Sequence, residues 1–145
     1  MSYSADANLL LYASDRSSPH YAAASRFLES RVEDPDLFCL TWATLMTYVR
    51  IATHPRIFAD PLSPDEATSN VVSLIQLPRV RLINEDDGFF DLYREVTSSL
   101  SVRGNLVPDA HLATVLRQNG VNVFYTADAD FKKFGFLEMR NPLEA

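Results

Sequence analysis

Asp6, Asp109, Asp128 and Asp130 are the residues of this chain whose type and placement can do chemistry together. Each stands where a strand-like run ends or a helical pattern opens: Asp6 after Tyr3-Ser4-Ala5, Asp109 within Pro108-Asp109-Ala110-His111, Asp128 and Asp130 after the β-rich run 121–126. In a parallel α/β sheet the carboxyl ends of the strands share one edge, and ligands bind in the crevice beyond it. The carboxylates can therefore meet in one crevice. Two carboxylates about 4 Å apart repel by roughly 4 kcal/mol at an effective dielectric of about 20, so a cluster must take up protons or a cation. Oxygen-only, hard ligands favour Mg²⁺, with Mn²⁺ as a substitute, over zinc. An ion held in this way keeps positions for water and phosphate oxygens, which is what phosphodiester hydrolysis requires. Thr126 offers a hydroxyl and Asn8 an amide to orient the carboxylates. Arg50, Arg103, Lys132 and Lys133 can line the rim and draw in a nucleic-acid backbone, although each also reads as an ordinary solvated charge. Asp6 likewise has an ordinary use as a helix N-cap, worth about 1 kcal/mol.

The elements that must position these residues follow from periodicity. Residues 37–40, Leu-Phe-Cys-Leu, form the short continuous apolar run of a buried parallel strand. Ser18-Pro19 reads as an N-cap and first turn for a helix over 20–31, which places Ala24, Phe27 and Leu28 on one face and Arg26, Glu29 and Arg31 elsewhere. From Thr41 the spacing of Trp42, Leu45, Met46 and Val49 predicts a helix with those four in the core, ending near His54-Pro55. Ser63-Pro64-Asp65-Glu66 is a capping-box pattern that starts a helix running to about Gln76. Residues 78–83 alternate charged with apolar side chains, as a half-exposed or edge strand does. Glu85-Asp86-Asp87 reads as a solvated turn before a helix over 89–100. Another helix opens at Pro108, carries Leu112, Val115 and Leu116 inward and stops at Asn119-Gly120. A short helix over 131–134 and a strand around 137–139 close the chain. Strands alternating with helices predict an α/β domain whose central, mostly parallel sheet is flanked by helices on both faces.

Composition bounds the function. A chain of 145 residues, 47% hydrophobic and 22% charged, suits one globular domain over 1–145 with a core that needs no disulfides. The formal net charge of −6 excludes bulk electrostatic attraction to nucleic acid, so such binding requires a metal or a local basic patch. The single cysteine, Cys39, sits in an apolar run and reads as a buried, inert thiol. The longest uncharged apolar stretch, 37–49, falls short of the roughly 18 residues a spanning helix needs. With no basic leader and no cysteine framework, the expected location is the cytoplasm.

Asp6-Ala7-Asn8-Leu9-Leu10-Leu11-Tyr12-Ala13, Pro108-Asp109-Ala110-His111-Leu112-Ala113, and Tyr125-Thr126-Ala127-Asp128-Ala129-Asp130-Phe131 followed by Asn141-Pro142-Leu143 resemble, in order and spacing, the PIN-domain ribonucleases of the VapC toxin type. The run from Trp42 to Pro55 is similar to the middle segment of one subgroup of these toxins. The resemblance implies an endoribonuclease that depends on Mg²⁺ or Mn²⁺, with Asp6, Asp109 and Asp128 as catalytic metal ligands and Asp130 as a further ligand. It also implies a homodimer and a cognate VapB-type antitoxin. The family usually carries a glutamate on the helix after the second strand, yet no carboxylate occurs here between Asp36 and Asp60, and Thr47 or a neighbour takes that region. One-metal and two-metal sites both remain open on this reading. So does a degenerate PIN fold that binds without cutting. A phosphoacceptor receiver domain also gathers aspartates at strand ends, but it wants an acceptor Asp closing a middle strand, where this chain has Thr41.

Overall fold

The short strand runs pair side by side because none is long enough to be stable outside a helix-covered sheet, and the run at 37–40 is apolar on both faces. The computed structural model describes residues 1–144. In chain order it comprises β1 (Ser2–Ala5), α1 (Ala7–Ala13), α2 (Tyr21–Ser30), β2 (Leu37–Leu40), α3 (Trp42–Ala52), α4 (Pro64–Ile75), β3 (Val80–Leu82), α5 (Phe89–Val96), α6 (Leu106–Gln118), β4 (Val123–Tyr125), a 3₁₀ turn (Ala129–Lys133) and β5 (Glu138–Arg140). The five strands lie in the order β3-β2-β1-β4-β5. Every neighbouring pair is parallel, in registers such as Tyr3 opposite Phe38 and Ala5 opposite Tyr125. The chain builds outward in one direction from β1 through β2 to β3, and in the other through β4 to β5. The switch point therefore falls between β1 and β4, where open α/β sheets bind their ligands.

Alternation along the strands divides the core in two. Tyr3, Ala5, Phe38, Leu40 and Val123 point to one face, where they meet Leu9, Leu10 and Leu11 of α1, Phe27 of α2, and Leu45 and Tyr48 of α3. Cys39 and Phe124 point to the other and meet Ala110, Ala113 and Leu116 of α6, with Phe131 and Phe134. Cys39 is a buried free thiol, as its apolar setting predicts. Among the described residues no helix is long and apolar enough to cross a membrane.

Helix ends show how closely local chemistry was followed. Ser63 Oγ accepts from Glu66 N at 3.1 Å and Glu66 Oε1 accepts from Ser63 N at 3.1 Å, completing the capping box that starts α4. Gly120 closes α6 at φ +72°, a left-handed conformation that glycine adopts without a Cβ penalty. Other boundaries move. Helix α2 starts at Tyr21 with His20 rather than Ser18 as its N-cap, and Ser18 Oγ instead accepts from His20 N at 3.0 Å in the preceding turn. Helix α6 begins at Leu106, which puts Pro108 within the first turn, where its missing N–H is no loss. Helix α5 ends at Val96, four residues short of the expected stop.

Two side-chain placements are corrected. Trp42 and Met46, expected in the core, are 45% and 57% exposed. The inward face of α3 is Thr44, Leu45, Tyr48 and Ala52. This helix carries apolar residues on more than one stripe, so periodicity could not say which one the sheet would cover. Thr41 caps it, accepting from Thr44 N at 3.1 Å, and the phase set there turns Trp42 to solvent. Arg31, which the helical pattern puts off the apolar face of α2, has a side chain only 9% exposed. Its guanidinium lies 5.1, 4.2 and 5.4 Å from the ring centroids of Tyr3, Phe27 and Tyr125, and Nε donates to Phe27 O at 3.0 Å. The aromatic rings face a cation that also finishes the last turn of α2.

Candidate metal centre

Asp6 leaves β1 in extended conformation and caps α1, so its carboxylate is set at the mouth of the switch point. Its Oδ1 accepts from Asn8 N at 3.2 Å and its Oδ2 from Thr126 Oγ1 at 2.8 Å. Thr126, 1% exposed, follows β4 and in turn accepts at Oγ1 from Asp128 N at 2.9 Å. Asp128 Oδ1 then accepts from Asp130 N at 2.9 Å, which starts the 3₁₀ turn. One chain of hydrogen bonds thus ties α1, β4 and the 3₁₀ turn together. Backbone N–H groups and a buried hydroxyl orient these carboxylates before any ligand arrives.

Asp109 comes from the opposite wall, in the first turn of α6. One carboxylate oxygen from each of Asp109, Asp128 and Asp130 lies within 4.8 Å of the others. Asp6 stands outside that tight group, joined to it through Thr126. Partial burial, together with the charges of Asp128, Asp6 and Asp130, pushes the Asp109 carboxyl from 3.8 up to about 6, with Lys133 pulling the other way. Burial also raises Asp6, opposed by its hydrogen bonds from Thr126 and Asn8. The electrostatic strain anticipated from the sequence therefore falls mainly on Asp109. All donors are oxygens, their charges repel, and Asp6 and Asp128 are held in orientation, so the set fits a hard divalent cation in chemistry and proximity.

The other candidate residues are placed less tightly. Asn8 is exposed, and its contact with Asp6 is made by the backbone N–H rather than by the side-chain amide. Thr47 is half-buried on α3 and makes no hydrogen bond to the aspartates among the described residues. Helix α3 supplies no carboxylate to the cluster, and a Thr41–Thr44 hydroxyl pair at 3.0 Å occupies its start. Arg50 is exposed in the last turn of α3, Arg103 is exposed and donates to Ser101 Oγ at 2.8 Å, and Lys132 is exposed on the 3₁₀ turn. Lys133 is the cation whose field reaches Asp109. A pair that sequence reasoning missed joins His111 Nε2 to Glu85 Oε1 at 2.6 Å. Twenty-six positions separate the two residues, and no periodic signal links them.

Comparison with known proteins agrees with this architecture. The PIN domain family model matches residues 3–137. Ribonuclease VapC48 of Mycobacterium tuberculosis is 37% identical over 142 residues, which cover 98% of each chain. Among solved structures, VapBC2 from Rickettsia felis, bound to a DNA fragment from its promoter, superposes with a TM-score of 0.70 at 16% identity, covering 97% of this chain and 98% of that one. VapC20 of M. tuberculosis, described as a Sarcin-Ricin loop cleaving toxin, gives 0.68 at 17% identity over 95% and 98%. The match begins in the strand that delivers Asp6 and continues past the turn that delivers Asp130, and on that ground the chain belongs to the PIN-domain family, among the VapC ribonucleases.

Proposed function

We propose that the protein is a metal-dependent endoribonuclease toxin that hydrolyses RNA phosphodiester bonds, with Mg²⁺ as its ion, Mn²⁺ as a substitute, and a VapB-type antitoxin as its neutralising partner. The observation that carries this reading is the convergence of Asp109, Asp128 and Asp130 on one point, with Asp6 oriented toward them through Thr126. When bound, a divalent ion brings the pKa of a coordinated water toward neutrality and offsets phosphate charge. The protein's own residues do the rest. Asp109, Asp128 and Asp130 hold the ion, and Asp6 completes the acidic shell. Thr126 keeps Asp6 and the Asp128 backbone in fixed relation, so little reorganisation is needed when the ion arrives. Arg50, Arg103 and Lys132, all exposed, supply the positive charge along which an RNA backbone is drawn.

The antitoxin follows from relatives: the Rickettsia felis neighbour was solved as VapBC2. A homodimer accords with exposed apolar surface such as Phe90, 65% exposed on α5. A cleavage assay on single-stranded and structured RNAs, with Mg²⁺, Mn²⁺ or a chelator, tests the activity. Cutting should require the ion and vanish in the double variant Asp6→Asn, Asp109→Asn; cutting that survives both changes sinks the proposal. A second reading, a PIN fold that binds without catalysis, draws on the absence of a carboxylate from α3. Titration calorimetry separates the two, because a binding module of this kind takes up neither ion.

A further inference from the structure

A cavity of about 180 Å³ lies at the carboxyl edge of the sheet that also carries Asp6, between the start of α3 and the start of α6. Its neighbourhood follows from the topology. Thr41 ends β2, the strand next to β1, whose end carries Asp6; Pro108 of the far wall immediately precedes Asp109. One side is Trp42, 45% exposed although the sequence pattern assigned it to the core. Another is the Glu85–His111 pair, held at 2.6 Å, with the His111 ring packed edge-on against Phe89 at 5.3 Å between centroids. The loop carrying Glu85 is pinned to the end of α6. Asn119 Nδ2 donates to Asn84 O at 3.0 Å, Gln118 Oε1 accepts from Asp86 N at 2.8 Å, and Gln118 Nε2 donates to the Asp86 and Asp87 carbonyls at 3.0 Å. The cavity wall is thus built and fixed, and it joins an exposed indole to a carboxylate and an imidazole.

Resting on the ribonuclease reading, we propose that this cavity receives a nucleobase of the RNA strand beside the scissile phosphate, stacked on Trp42 and hydrogen-bonded at its edge by Glu85 and His111. The chemistry selects a base over the other parts of a nucleotide. Single-stranded RNA is recognised by stacking splayed bases on aromatic rings and bonding their edges, whereas the Glu85 carboxylate repels a phosphate. A carboxylate has about four acceptor sites, so Glu85 holds His111 and still accepts from an exocyclic amine. Cytosine, with its N4 amino group, is therefore preferred over uracil, which presents a carbonyl there.

Trp42 is the chain's single tryptophan, so indole emission reports on this cavity alone. The full chain carrying Asp6→Asn, which keeps the α1 cap and should not cut, is titrated with short oligocytidine and oligouridine RNAs while anisotropy of a labelled RNA follows binding independently. Emission should be quenched over the same concentrations that raise anisotropy, with oligocytidine binding more tightly, and Glu85→Gln should remove that preference. In the otherwise native enzyme, Trp42→Ala should raise KM for RNA by about tenfold or more with a smaller change in kcat, and Trp42→Phe should recover part of the loss. RNA binding that leaves emission unchanged overturns the base site while the ribonuclease reading stands. No RNA binding, with no cleavage by the native chain, overturns both. Emission that depends on protein concentration and ignores RNA overturns the base site by showing that a second copy covers Trp42.

Discussion

Replacing Asp109 with asparagine should stabilise the ion-free protein while destroying its activity. The Asp109 carboxyl is raised from 3.8 to about 6 by burial and by the charges of Asp128, Asp6 and Asp130. Ionising it therefore costs more in the folded chain than in the unfolded one. Two pKa units are worth about 3 kcal/mol at face value. Asp109 is partly exposed, so solvent screening reduces this, and its place in the first turn of α6 favours the negative charge by some tenths of a kcal/mol. About 1 kcal/mol remains.

The sign fixes the pH window. The folded state holds the proton more tightly than the unfolded one, so stability falls as pH rises between about 4 and about 6 and stays lower above that. Urea unfolding of native and Asp109→Asn chains in chelator, at steps from about pH 4 to about pH 8, should show the variant's advantage near zero at the acid end and about 1 kcal/mol at the alkaline end, or roughly 2–4 °C in melting temperature. Adding Mg²⁺ should reverse the order, because only the native chain gains binding energy from the ion. An advantage equal at all pH values, or an asparagine variant less stable than the native chain at about pH 8, would refute the argument that Asp109 bears the repulsion of the cluster.

Thr126→Val removes the hydroxyl that joins Asp6 to the Asp128 backbone in a fully buried position, so it should cost about 1–3 kcal/mol in unfolding free energy and weaken Mg²⁺ or Mn²⁺ binding by about 10- to 100-fold in calorimetric titrations. Ser63→Ala breaks the capping box of α4, far from the aspartates in the chain, and should lower stability by about 1 kcal/mol in urea melts while RNA cleavage rates hold. Arg31→Ala leaves three aromatic rings without their cation and Asp34 without its ion-pair partner, while Phe27 O keeps only the Ser30 hydroxyl; a loss of about 1–3 kcal/mol is expected, and Arg31→Lys should restore only part of it, because an ammonium cannot stack as a guanidinium does.

What could be read in advance was local. The runs at 37–40 and 121–126 declared themselves strands through apolar content. Ser63-Pro64-Asp65-Glu66 named its helix start through capping chemistry, and Asn119-Gly120 named a helix end. Asp6, Asp109, Asp128 and Asp130 stood out because each sits at a junction, and a parallel sheet brings junctions to one edge. The β3 edge strand was likewise visible in its alternation of charged and apolar residues. These signals depend on neighbours within a turn or a strand, which is the range over which propensity and periodicity act.

The tertiary structure decided everything that depends on which face looks inward and which distant groups meet. The stripe containing Trp42 and Met46 and the stripe containing Leu45, Tyr48 and Ala52 are both compatible with one helical period, so only packing against the sheet chose between them. Arg31 is drawn under the surface by Tyr3, Phe27 and Tyr125, which converge from β1, α2 and β4. His111 finds Glu85 across twenty-six positions because the loop after β3 is anchored on α6. Within the acidic cluster, the sequence determined which groups carry charge; the fold decided that Asp109, Asp128 and Asp130 close on one another while Asp6 is held one hydroxyl away. Charge and propensity belong to each residue, but distance and burial belong to the assembled chain, and the chemistry of this site depends on both.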